Sequence, residues 1–81
     1  MTTDQLRKAL HELDGHRDLR IVFERTRDCT IRKALLIPEE EDAMIKVTDG
    51  SRVFVIDAHR VAWIIIGNDV GEGSNSHIRQ A

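Results

Sequence analysis

The chain has 81 residues, 41% hydrophobic and 32% charged, with a net charge of −2 and a single cysteine. That composition describes one small domain burying roughly 60–65% of its unfolded surface. It excludes the strong basic bias of a non-specific nucleic-acid binder, a disulfide within the chain, and an apolar run of the ~20 residues that a membrane helix needs. With no signal-peptide pattern and one free thiol, a cytoplasmic setting is expected. The four histidines (His11, His16, His59, His77) and Cys29 form no tight zinc spacing, so no metal and no cofactor is expected. Domains this small gain stability from disulfides, metals or self-association, and the last is what remains.

Thr2 followed by Gln5 fits a capping box. A helix over about residues 3–14 should follow, because Leu6, Ala9, Leu10 and Leu13 recur at helical spacing and Gly15 supplies a stop. Strand one is expected from Leu19 to Glu24, with Leu19, Ile21 and Phe23 on the core face. Arg25-Thr26-Arg27-Asp28 reads as a polar turn. Strand two is expected from Cys29 to Ile37, ended by Pro38, and the acidic block Glu39-Glu40-Glu41-Asp42 reads as a loop.

The stretch from Ala43 to Gly67 holds most of the β-branched residues and the clearest turn signal. Asp49-Gly50 is a strong two-residue hairpin connection. Counting outward from it pairs Thr48 with Ser51, Val47 with Arg52, Lys46 with Val53 and Ile45 with Phe54. Ile45, Val47, Phe54 and Ile56 then share the core face. The opposite face, with Met44, Lys46, Thr48, Val53 and Val55, is too apolar to be left in water. Asp57-Ala58-His59-Arg60 reads as a corner. Val61-Ala62-Trp63-Ile64-Ile65-Ile66 is apolar at every position, the pattern of a strand covered on both faces. The Gly-, Ser- and Asn-rich tail 68–81 is expected to be disordered.

Several residues could carry chemistry. Asp57 and His59 are two apart, so an extended backbone would point them the same way, and a carboxylate can orient a histidine base. No nucleophile accompanies them, and a corner pair that caps backbone groups is the simpler reading, so no enzyme is expected. Cys29 has Arg25, Arg27 and Arg32 near it in sequence, and cations lower a thiol pKa; a half-buried structural cysteine is the plainer alternative. Arg17, Arg20, Arg25, Arg27, Arg32 and Lys33 could form a basic patch, opposed by Asp14, Asp18, Glu24 and Asp28. Trp63, Phe23 and Phe54 all sit at core-type positions, which leaves no platform for stacking single-stranded bases.

A helix before five short bent strands resembles the Sm-like family, including its bacterial RNA chaperones. Two segments carry the resemblance: Asp42-Ala43-Met44-Ile45-Lys46-Val47, similar to the first Sm motif, and Ile56-Asp57-Ala58-His59-Arg60-Val61, similar to the Ile-Arg-Gly-Asn-Asn-Ile type of corner in the second. Lys46 stands at the family's Asn, Asp57 at its Arg and Ala58 at its Gly. The resemblance implies a small five-stranded bent β-barrel of the Sm/SH3-like kind over residues 1–67. It also implies a ring of identical subunits, and RNA held by Asp42, Met44, Lys46, Asp57, His59 and Arg60. Val61, Trp63, Ile64, Ile65 and Ile66 would form the oligomer interface. A carboxylate at position 57 would repel phosphate. The expected function is therefore a non-enzymatic, oligomeric, Sm-like binding module, RNA-related; the alternative is a protein-binding or structural and regulatory homo-oligomer with no nucleic-acid role.

Overall fold

The computed structural model describes residues 1–38 and 44–70. One helix and six strands follow in order: α1 (Thr3–Leu10), β1 (Asp18–Phe23), β2 (Cys29–Ile31), β3 (Leu35–Leu36), β4 (Ile45–Thr48), β5 (Val53–Ile56) and β6 (Val61–Gly67), with a 3-10 turn at Ala58–Arg60. The strands form two antiparallel sheets ordered β2-β1-β6 and β3-β4-β5. The protein is therefore mainly β with one N-terminal helix.

The helix begins as the capping box requires. Thr2 accepts from the Gln5 backbone N–H at 3.1 Å, and the Gln5 side chain accepts from the Thr2 N–H at 3.0 Å. It ends at Leu10, four residues short of the expected end, with His11 as its C-cap. Leu6 and Leu10 are fully buried, and Leu13, past the helix, joins the same core. The helix lies against β4 and the 3-10 turn. β1 contributes Leu19 and Ile21 to the core, β2 Ile31, β4 Ile45 and Val47, and β5 Ile56; Ala34, Ala58 and Val61 complete it. A fully buried aliphatic side chain of this size contributes about 1.5–3 kcal/mol, so these residues carry most of the cohesion of so small a chain.

The expected strand two is broken. Lys33 adopts φ 49°, a left-handed conformation, and separates β2 from β3. The segment leaves the first sheet there and turns towards the second. Ala34 donates to the Arg17 carbonyl at 2.8 Å and its own carbonyl accepts from the Gly15 N–H at 3.0 Å, so both backbone groups of the corner are satisfied.

The hairpin register also differs from expectation. Thr48 pairs with Val53, Val47 with Phe54, Lys46 with Val55 and Ile45 with Ile56, a slip of two residues along β5. Local side chains decide it. The Asp49 carboxylate accepts from the N–H of Ser51 at 2.9 Å and of Arg52 at 2.8 Å, and the Thr48 hydroxyl donates to the Arg52 carbonyl at 2.7 Å. These bonds close a four-residue loop over Asp49–Arg52, with Gly50 at φ 98°. A slip of two preserves which face each residue takes, so the expected core set Ile45, Val47, Phe54 and Ile56 is retained.

In β6 the alternation is interrupted. Phe23 pairs with Val61 and Val22 with Trp63, which leaves Ala62 as an extra residue in a bulge. Val61 consequently faces the core and Trp63 faces out. No helix among the described residues is long and apolar enough to cross a membrane. The expected acidic loop lies outside the described residues apart from its flanks. Of the expected tail, Asp69 is fastened to the fold by its N–H to the Asp18 carboxylate at 3.1 Å, and residues 71–81 lie outside the described residues.

Candidate functional site

The corner after β5 is built by Asp57. Its carboxylate accepts from the His59 backbone N–H at 3.1 Å and caps the 3-10 turn. The same carboxylate lies 3.7 Å from His59 Nδ1 and 3.6 Å from Arg60 Nε. Asp57, His59 and Arg60 thus come together at the corner, all exposed, but the carboxylate engages both neighbouring side chains. The geometry is that of a structural cap.

Beside this corner a shallow cleft of about 330 Å³ is lined by Thr3, Met44, Ile45, Val55, Ile56, Asp57 and Ala58. It is mostly apolar, with Thr3 and Asp57 as the polar residues of its lining. Met44 and Asp57 therefore share one site. Met44 is exposed there, and its carbonyl accepts from Arg7 at 3.5 Å. Lys46 is half-buried in the middle of β4, across from Val55. Asp42 lies outside the described residues.

A second depression, about 440 Å³ and polar, is lined by His16, Asp18, Arg32, Lys33, Asn68 and Asp69. Asp18 is the buried residue within it: its carboxylate accepts from the Lys33 N–H at 3.0 Å and from Arg32 at 3.2 Å. The Arg32 guanidinium also reaches Asp69 at 3.4 Å.

Half of the expected basic patch is neutralised. Arg20 pairs with Asp28 beneath the β1–β2 turn, Arg17 with Glu12, and Arg32 with Asp18 and Asp69. Arg25, Arg27 and Lys33 form no ion pair among the described residues. Cys29 is half-buried, and burial, then the neighbouring Asp28 carboxylate, push its thiol up from the ordinary value, with only Arg52 opposing. The cation that acts on it is Arg52 and not the expected Arg25, Arg27 or Arg32. Among the described residues no group of three or more His, Cys, Asp and Glu side chains is placed to hold a metal ion.

The expected interface strand divides in two. Val61 is buried in the protein's own core, so its apolar character is explained without a partner, whereas Ile64 and Ile66 are half-buried against that core. Trp63 and Ile65 are 56% and 39% exposed. On the other sheet Val53 and Val55 are 57% and 59% exposed, joined by Leu35 and Met44. These outward apolar side chains are the feature that sequence reasoning marked as needing cover. No protein-family model, curated protein or solved structure matches the chain.

Proposed function

We propose that this protein is a non-enzymatic binding module that works as a homo-oligomer of Sm-like architecture, in a cytoplasmic setting. The observation that carries the reading is the pair of strand edges left open among the described residues: there β5 pairs with β4 alone and β6 with β1 alone, and each presents large exposed apolar side chains. Sheet edges of this kind recruit further strands. An edge at each end of the strand order is what a head-to-tail assembly uses, and head-to-tail contacts close into rings when the rotation permits. Counting β2 and β3 as one strand broken at Lys33 makes a five-strand sequence, β6-β1-β2/β3-β4-β5, which supports the bent-barrel reading.

RNA is the ligand class this reading carries forward, with Met44, Lys46, His59 and Arg60 as its contact candidates. Native mass spectrometry of the purified protein, followed by RNA retention across a salt series, tests both halves. A discrete oligomer whose RNA affinity falls steeply between about 50 and 200 mM salt is the expected result; a monomer at all concentrations overturns the assembly. The second reading, a protein-binding or structural homo-oligomer, is favoured by one observation. The Asp57 carboxylate sits between His59 and Arg60, which removes net positive charge where phosphate would approach. An oligomer that retains no RNA even at low salt would establish that reading instead.

A further inference from the structure

The polar depression between the start of β1 and the end of β6 gathers two cations that a regular strand would hold apart. Arg32 and Lys33 are adjacent in the chain, and adjacent residues of an extended backbone point to opposite faces. The left-handed Lys33, with φ 49°, breaks that alternation, and both residues line the one depression of about 440 Å³. Neither cation is used up inside the fold. Lys33 forms no ion pair among the described residues. The Arg32 side chain is 63% exposed and engages through Nη1 alone, with Asp18 at 3.2 Å and Asp69 at 3.4 Å. Its Nε and Nη2 donors make no hydrogen bond among the described residues, although a guanidinium presents donors on all three nitrogens.

The two carboxylates of the depression differ in kind. Asp18 is buried and accepts from the Lys33 and Asp69 backbone N–H groups as well as from Arg32, so it belongs to the fold. The Asp69 side chain is 84% exposed and meets Arg32 alone, and exposed ion pairs of this kind are weak. Two cations against two carboxylates leave no net charge here; with Asp69 swung away, one positive charge remains.

We propose that Arg32 and Lys33 form a binding site for a phosphate group, and that the Asp69 carboxylate is its built-in competitor, holding the place on Arg32 that the ligand takes. The planar guanidinium offers paired N–H donors to two oxygens of a phosphate, and the Lys33 ammonium adds a second charge. A phosphate dianion is attracted more strongly than the single charge of a carboxylate. Because the Asp69 backbone stays anchored to Asp18 at 3.1 Å, the exchange needs only a side-chain rotation. The site shares no residue with the cleft beside Asp57, and its occupancy requires no assembly.

Backbone amide resonances of the full chain are followed as inorganic phosphate, and separately adenosine monophosphate, is added at constant ionic strength and about pH 7.5, where both are mostly dianionic. Saturable shifts at Arg32, Lys33 and Asp69 are expected. Asp69→Asn should tighten binding about threefold by removing the competitor, while Arg32→Gln and Lys33→Gln should each weaken it about tenfold. Lys33→Gln removes no ion pair of the fold, so its effect is read on intact protein. Equal affinity for the two ligands identifies free phosphate as the source, and tighter binding of the nucleotide identifies a phosphorylated small molecule. The absence of a saturable shift in both the unaltered protein and Asp69→Asn overturns the site. Shifts that persist undiminished in Arg32→Gln and Lys33→Gln overturn it equally, and binding that Asp69→Asn leaves unchanged or weakens overturns the competition.

Discussion

The Asp18 carboxylate accepts the backbone N–H of Lys33 at 3.0 Å, joining the first residue of β1 to the left-handed residue at which strand two breaks. Because Asp18 is buried and also receives the Asp69 N–H and the Arg32 guanidinium, it fastens the corner between the sheets to the end of β6. Asp18→Ala would leave those donors without their acceptor. The expected loss is about 1–3 kcal/mol, measured by urea unfolding, with Asp18→Asn losing less because one oxygen remains.

The helix cap offers a second test. Thr2→Ala removes the acceptor for the Gln5 N–H and should lower stability by about 0.5–2 kcal/mol. The loss should appear in global unfolding and not as helix fraying alone, since Leu6 and Leu10 are fully buried.

Asp49 makes the hairpin loop sensitive to acid. Hydrogen bonds from the Arg52 and Ser51 N–H groups hold its carboxyl below the ordinary 3.8. A folded value below the unfolded one gives stabilisation that is present above the unfolded value and lost as pH falls through the folded one. Protection of the Ser51 and Arg52 amides relative to an unstructured peptide at the same pH should therefore fall below pH 3.8, and Asp49→Ala should show that lower protection at neutral pH as well.

Cys29 should be a slow nucleophile. Burial and the Asp28 carboxylate hold its thiol above the ordinary 9.0, so little thiolate exists at neutral pH. Iodoacetamide at pH 7 should alkylate it more slowly than a free cysteine. Asp28→Asn should quicken the reaction by removing a negative charge and releasing Arg20 from its ion pair.

Two positions in β6 should respond oppositely to substitution. Val61→Ala opens a cavity in the core and should cost roughly 1–3 kcal/mol of folding stability. Ile65→Ser, on the exposed face, should change the unfolding of dilute protein by no more than about 0.5 kcal/mol. Chemical denaturation at low protein concentration separates the two.

What the sequence made legible was the chemistry that acts over a few residues. The Thr2–Gln5 capping box, the inward set Leu19, Ile21 and Phe23, and the shared face of Ile45, Val47, Phe54 and Ile56 all follow from spacing. The hairpin register did not follow from Asp49-Gly50, because the Asp49 carboxylate and the Thr48 hydroxyl close a longer loop than the dipeptide suggests. The break in strand two was hidden because Lys33, not glycine, takes the left-handed conformation, held there by the carboxylate of a residue fifteen positions earlier. At the candidate site, the nearness of Asp57, His59 and Arg60 was readable from adjacency. The cleft that joins Met44 and Asp57 was not, since it depends on how α1 lies against the second sheet.

Ala62 works as a spacer that assigns sidedness to a strand whose residues carry none. Every neighbour from Val61 to Ile66 is apolar, so polarity alone could not tell the strand which way to turn. The single unpaired residue between Val61 and Trp63 decides it. Deleting Ala62 would leave a regular ladder with the same sidedness, whereas drawing Ala62 into the pairing would set Val61 and Trp63 on one face and oblige one end to turn over: either Val61 would leave the interior or the bulky indole would rotate into a space shaped for valine. One small side chain thereby divides the strand between holding its own fold together and meeting whatever lies outside.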